Sequence, residues 1–176
     1  MSPYRAPWWL PGGHLQTLYG ALGPAPRIAW RRERWDTPDG DFIDLDWAEG
    51  GGGPLLALFH GLEGGSSSHY ARKVAAQAQA RGWRCVVPHF RGCSGEANRL
   101  ARAYHSGDSA ELDWILRRLQ PDYAAGVSLG GNVLLKWLGE QGAGAARHVG
   151  RGAAATAAMQ DVAACGAIGS GPSRRR

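Results

Sequence analysis

The sequence predicts an α/β fold: a mostly parallel sheet with helices on both faces, opened by an antiparallel hairpin. Three observations carry this. Short continuous apolar runs at 55–59 and 83–87 read as strands buried on both faces. Segments of helical periodicity, 69–81 and 109–119, each follow such a run. A glycine-rich stretch, Gly126-Val127-Ser128-Leu129-Gly130-Gly131, then joins a third short apolar run to a third helical segment. Strands that alternate with helices at this spacing pair in parallel.

Bulk composition sets the limits. The 176 residues suit one domain with a real core, and 44% hydrophobic residues exclude a disordered composition. No apolar run reaches the roughly 18 residues of a membrane span. Pro3, Arg5, Pro7 and Pro11 interrupt any signal-peptide core, so the expectation is a soluble, cytoplasmic protein. Cys85, Cys93 and Cys165 form no C-x-x-C pair, which argues against a disulfide framework or a zinc ribbon. Net charge is +5, yet the arginines are scattered and no aromatic-interleaved RNA motif is present. The charge therefore reads as a solvated surface, without a nucleic-acid partner.

In chain order, residues 1–27 read as an arm in which Trp8 and Trp9 need burial against the domain or at the mouth of a site. Residues 28–150 form the domain. Ile28, Trp30 and Trp35, the turn Pro38-Asp39-Gly40, and then Phe42, Ile43, Leu45 and Trp47 give the hairpin. The run 55–59 ends in His60-Gly61-Leu62-Glu63-Gly64-Gly65, which lacks the Gly-Lys-[Ser/Thr] ending of a phosphate-binding loop. His60 has three readings: it orients this loop, acts in catalysis or binds a metal. No ligand spacing supports the metal.

The helix at 69–81 places Tyr70, Val74, Ala75 and Ala78 on one face, and Gly82 stops it. After the strand at 83–87, the segment 98–107 is a longer loop. Asp108-Ser109-Ala110-Glu111 reads as a capping box, followed by Leu112, Ile115, Leu116 and Leu119 at helical spacing. Leu134, Leu135 and Leu138 give the packed face of the last helix. Residues 151–176 are an Ala-, Gly- and Arg-rich tail.

The stretch around Ser128 carries the chemistry. G-x-S-x-G between a strand and a helix is a nucleophile elbow. Gly126 and Gly130 are small enough for strand and helix to pass closely, and Ser128 is left exposed in the turn. The N–H groups that open the helix then face a developing oxyanion. The alternative for the hexapeptide alone is a glycine-rich turn with an incidental serine.

Five stretches agree in order: Pro-Gly-Gly-His14-Leu-Gln-Thr; His60 to Gly64 with Ser66 to Tyr70; Phe90 to Glu96 with Asn98; Tyr104 to Asp108; and Gly126 to Glu140. On these the chain resembles the YheT-like branch of the α/β hydrolases over roughly residues 7–140. The resemblance implies a serine hydrolase of carboxylic or lipid esters, needing no cofactor and no metal, with a small-molecule ester as its partner. It carries the nucleophile to Ser128. The oxyanion donors it implies are the backbone N–H groups of Leu129 and Leu62, with Gly61 as the loop glycine.

The family completes its triad with an acid and a histidine well downstream. After Gly130 this chain has one aspartate, Asp161, and one histidine, His148, neither in the matching place. The expectation is a domain that stops before its last strands and lid, without its triad partners, and that exposes a sheet edge. Acyl transfer or thioester hydrolysis on the same elbow, and a remnant that only binds, are the other readings. Oligomeric state is not fixed by the sequence.

Overall fold

The structure, a computed structural model, describes residues 7–9, 12 and 24–156. Strands β1 (Trp30–Asp36) and β2 (Phe42–Ala48) pair antiparallel around the turn at Pro38-Asp39-Gly40, where Gly40 takes φ +85°. Then come β3 (Leu55–Phe59), α1 (His69–Ala80), β4 (Arg84–Pro88), α2 (Ser109–Leu119), β5 (Tyr123–Val127), α3 (Leu129–Gln141), a 3₁₀ turn (Gly142–Arg147) and β6 (Gly152–Thr156). The strand order is β1-β2-β4-β3-β5-β6. β2 meets β4 antiparallel, while β4, β3, β5 and β6 run parallel to one another.

This order places β3 at the centre. The chain leaves β3 to build β4 on one side and returns to build β5 on the other, so the loops after β3 and β5 emerge side by side. Such a reversal at the carboxyl ends of parallel strands is where open α/β sheets bind ligands. The register is explicit: Phe59 pairs with Gly126, so each strand enters its loop at the same level.

Two cores flank the sheet. On one face α2 and α3 cover Ile43, Leu45, Phe59 and Val86, with Trp137 fully buried among them. On the other, Ala71, Ala75 and Ala78 of α1 pack on Leu58, Cys85 and Val87. Three-methyl contacts of this kind let the helix lie close to the sheet, and burial at i, i+4, i+7 follows the helical period.

The expected hairpin, strands and helices are present, with shifts of a few residues at their ends. Four local expectations fail. In α3 the packed face is Val133, Leu134 and Trp137, with Leu138 partly buried, whereas Leu135 is exposed. The capping box at 108–111 does not form, because Asp108 accepts two hydrogen bonds from Arg102 and Glu111 pairs with Arg91. Trp8 is 91% exposed, and the segment holding Trp8 and Trp9 joins neither core. Finally, the charge is not all solvated surface: Asp41, Asp44, Asp46, Arg91 and Glu111 are buried, each against an opposite charge. The arm around His14, together with Asp161 and Cys165, lies outside the described residues.

Candidate active site

Ser128 stands between β5 and α3 with φ 52° and ψ −115°. A non-glycine residue at positive φ costs about 1–3 kcal/mol and persists only where its surroundings enforce it. Here the enforcement is steric and comes from both neighbours. A Cβ on Gly126 would lie 2.5 Å from the Gly130 carbonyl oxygen, and a Cβ on Gly130 would lie 2.5 Å from the carbonyl oxygens of both Phe59 and His60. Only hydrogen fits at either place, so the backbone of α3 crosses directly over the end of β3. The Gly130 N–H closes that crossing by donating to the His60 carbonyl at 3.1 Å. Ser128 is exposed, and its carbonyl accepts from the Asn132 N–H at 3.0 Å as the first turn of α3 begins.

The loop after β3 is built around His60. Its side chain is wholly buried. Nδ1 lies 2.7 Å from the Gly61 carbonyl and Nε2 lies 3.0 Å from the Phe90 N–H. A carbonyl can only accept and an N–H can only donate, so the ring is neutral with its proton on Nδ1. Burial pushes its pKa down to about 4, against the rise from the Gly61 bond. Both nitrogens are occupied, which leaves His60 in the loop-orienting role among its three readings. Among the described residues no cluster of His, Cys, Asp or Glu is arranged to hold a metal.

Gly61 sits against the serine: a Cβ there would lie 3.4 Å from Ser128 Cβ. Its N–H is taken by the Tyr70 hydroxyl at 2.9 Å, and its carbonyl accepts from the Gly64 N–H at 3.0 Å. Glu63 adopts φ 49° and donates its N–H to the Tyr104 hydroxyl at 2.9 Å. These bonds on both sides fix the course of residue 62. The N–H groups of Leu62 and Leu129 donate to no protein acceptor among the described residues. Leu62 is exposed, beside a cleft of about 750 Å³ lined by Glu63, Cys93, Leu100 and Tyr104 among others.

A buried polar layer supports the loop from below, and sequence reasoning missed it. Asp46 and Asp44 of β2 face their direct cross-strand partners Arg32 and Arg34, each through two hydrogen bonds. Asp46 also takes Ser66 of the loop and His89 Nε2, the latter at 2.8 Å. Burial raises the Asp46 pKa, but the bonds from Arg32, His89 and Ser66 outweigh it and hold the carboxylate well below its usual range. Arg91 is likewise buried, bridging Glu111 of α2, Asp41 and Asp39. The readable signal was the alternation Asp44-Leu45-Asp46 opposite Arg32 and Arg34, which marks paired charges on one face of a hairpin.

No described histidine hydrogen-bonds Ser128. His89 is held by Asp46 and the Cys93 carbonyl, and His148 meets Gln120 at 3.1 Å. Cys85 is buried and its thiol is pushed up to about 12, which suits a packing role. The arrangement thus offers an exposed serine in an enforced turn, and the N–H groups of Leu129, next in the chain, and of Leu62, in the loop after β3, have no protein acceptor among the described residues.

Comparison with known proteins agrees with this geometry. A family model described as alpha/beta hydrolase fold matches residues 54–158. The chain is 45% identical over 146 residues to YheT of Escherichia coli, whose name describes it as a candidate esterase, covering 73% of this chain and 41% of that one. It is 30% identical over 154 residues to phospholipase ABHD3 of Homo sapiens, covering 79% of this chain and 38% of that one. An esterase from Exiguobacterium antarcticum superposes with a TM-score of 0.58 at 18% identity, over 73% of this chain and 46% of that one. The chain therefore spans about two fifths of the length of the curated relatives it matches. With the sheet order, the turn at Ser128 and the matched residues in agreement, this chain belongs to the α/β-hydrolase family, as a YheT-like member.

Proposed function

We propose that the chain carries the nucleophile and oxyanion half of a serine hydrolase acting on carboxylic or lipid esters. The observation that carries this is the backbone of Ser128, held at positive φ by two glycines whose Cβ positions are filled by backbone. In this reading Ser128 Oγ bonds to the ester carbonyl carbon as the carbonyl π pair moves onto oxygen. The N–H groups of Leu129 and Leu62 hold that oxyanion. The Oγ proton passes to an imidazole base that is not among the described residues and returns on the alkoxide leaving group, and water then releases the acyl group. The lipid-ester class draws support from the name of the human relative, and the carboxylic-ester class from that of the bacterial one.

A second reading has one observation behind it. No described histidine bonds Ser128, and a serine without a base is a weak nucleophile at neutral pH. The chain would then bind a ligand without turning it over. One experiment separates the two: labelling of the purified chain by a fluorophosphonate probe, with Ser128→Ala as control. Labelling that disappears in Ser128→Ala is expected. An unlabelled, folded chain would reject the catalytic reading for this chain.

A further inference from the structure

We propose that the Tyr70 hydroxyl is a third, side-chain donor of the oxyanion hole. The inference rests on the serine-hydrolase reading above and adds a residue that the backbone motif does not contain. Three observations support it.

First, Tyr70 Oη accepts the Gly61 N–H at 2.9 Å, so it is tied to the loop that flanks the serine. Second, the place a Gly61 Cβ would occupy is 3.4 Å from Ser128 Cβ and 3.8 Å from Tyr70 Oη. The two side chains therefore approach the same glycine. Third, the hydroxyl has one proton to give, and among the described residues no acceptor takes it. A hydroxyl that accepts a hydrogen bond becomes a better donor, because the bonds polarise one another. Gly61 has no side chain to stand between Tyr70 and the space above Ser128.

The rest of the local structure holds the ring in this pose. Tyr70 is the second residue of α1, its ring packs edge-on against His69 at 5.6 Å, and its body rests on the core beneath α1. The phenol is thus rigid and half-buried, with its polar tip at the loop. A donor fixed before the reaction is the kind that stabilises a developing charge without reorganisation.

Three forms of the full chain test this: Tyr70→Phe, 3,5-difluorotyrosine at position 70, and 3-fluorotyrosine at position 70. Fluorophosphonate labelling is followed as a rate, because the phosphoryl oxygen occupies the oxyanion position in the adduct. Loss of the donor lowers the rate on the order of 10²-fold in Tyr70→Phe. The difluoro form, a stronger donor of nearly the same shape, labels at least as fast as the unmodified chain at a pH low enough to keep its acidified phenol protonated. A Tyr70→Phe chain that labels at the unmodified rate overturns the proposal and leaves Tyr70 as a clamp on Gly61.

A second readout does not depend on a reactive serine. With 3-fluorotyrosine at position 70, hexanoate is titrated and the fluorine resonance followed in both the serine form and Ser128→Ala. A saturable shift in both is expected, because a carboxylate product places an oxygen where the oxyanion forms. A resonance that does not move overturns the proposal even where labelling fails for want of a base. No labelling with a saturable fluorine shift would reject the hydrolase reading of this chain and keep Tyr70 in an oxygen-binding site.

Discussion

At the residue scale, glycines in one short stretch have opposite roles. Gly126 and Gly130 have backbone atoms at 2.5 Å from where a Cβ would sit, whereas Gly139, in the last turn of α3, has nothing within 4 Å. Gly130→Ala must push apart β3 and α3, at about 3 kcal/mol or more. Gly139→Ala meets open space and gains helix propensity, so it should stabilise by about 1 kcal/mol. Urea midpoints for the two variants should move in opposite directions. The spacing of G-x-S-x-G made the first pair of glycines readable. The buried neutral state of His60 was not readable, because it depends on Phe90, thirty residues away. Its consequence is a pH dependence of known sign. The folded ring takes a proton only near pH 4, while the unfolded ring takes one near 6.5. His60 thus stabilises the fold fully above about 6.5, and that contribution, on the order of 3 kcal/mol, is lost as pH falls toward 4. Unfolding free energies measured across this window should slope less in His60→Asn.

At the scale of elements, the segment following β4 is held by charge rather than by apolar burial. Arg91 joins it to the hairpin turn through Asp39 and Asp41 and to α2 through Glu111. Asn98 adds bonds to Asp41 and to the Phe42 carbonyl. Arg91→Ala would leave the buried Glu111 with only Arg102, 3.9 Å away, as counter-charge, a loss of about 3 kcal/mol. Pairing Arg91→Met with Glu111→Leu should recover more than half of that in chemical denaturation, since Asp41 keeps the donors of Phe42, Asn98 and Arg99. This layer explains why the capping box was misread. Asp108 and Glu111 have the right types at the right spacing for a helix start, but Arg102, six residues before Asp108, and Arg91, twenty before Glu111, compete for them more strongly than the local N–H groups. In α3 the three leucines drew the eye to a face that includes Leu135, yet the Trp137 side chain, whose Nε1 donates to Asp113 at 2.8 Å, turns the helix to bury itself.

At the scale of the whole molecule, the architecture was legible because alternation of apolar runs and periodic helices leaves few ways to connect them. The sequence could not show that β2 would close against β4, since antiparallel pairing across that distance leaves no local mark. The two faces of the sheet are also unequally covered. Beside α1, a groove of Leu56, Trp83, Tyr123 and Ala125 runs toward Gly152 and Ala153 of β6, with Trp83 stacked on Tyr123 at 4.8 Å. β6 is the last strand of the sheet among the described residues, and unpaired edges next to apolar surface promote association. Sedimentation velocity should show concentration-dependent self-association of the isolated chain, reduced by Ala153→Lys. A monomer at all concentrations would contradict this. No helix among the described residues is long and apolar enough to cross a membrane.

The hydrogen bond from the Gly130 amide to the His60 carbonyl, where the start of α3 lies over the end of β3, also makes that amide a clock. Nothing but separation of the two loops can release it to solvent. Its deuterium uptake therefore times how often the serine turn and the neighbouring loop part company. Exchange as slow as that of Ala57 or Val86 in the central strands would mean that the pair opens only when the sheet itself does. Faster exchange would mark a breathing motion local to the one crossing that sets the distance between the serine turn and the loop after β3.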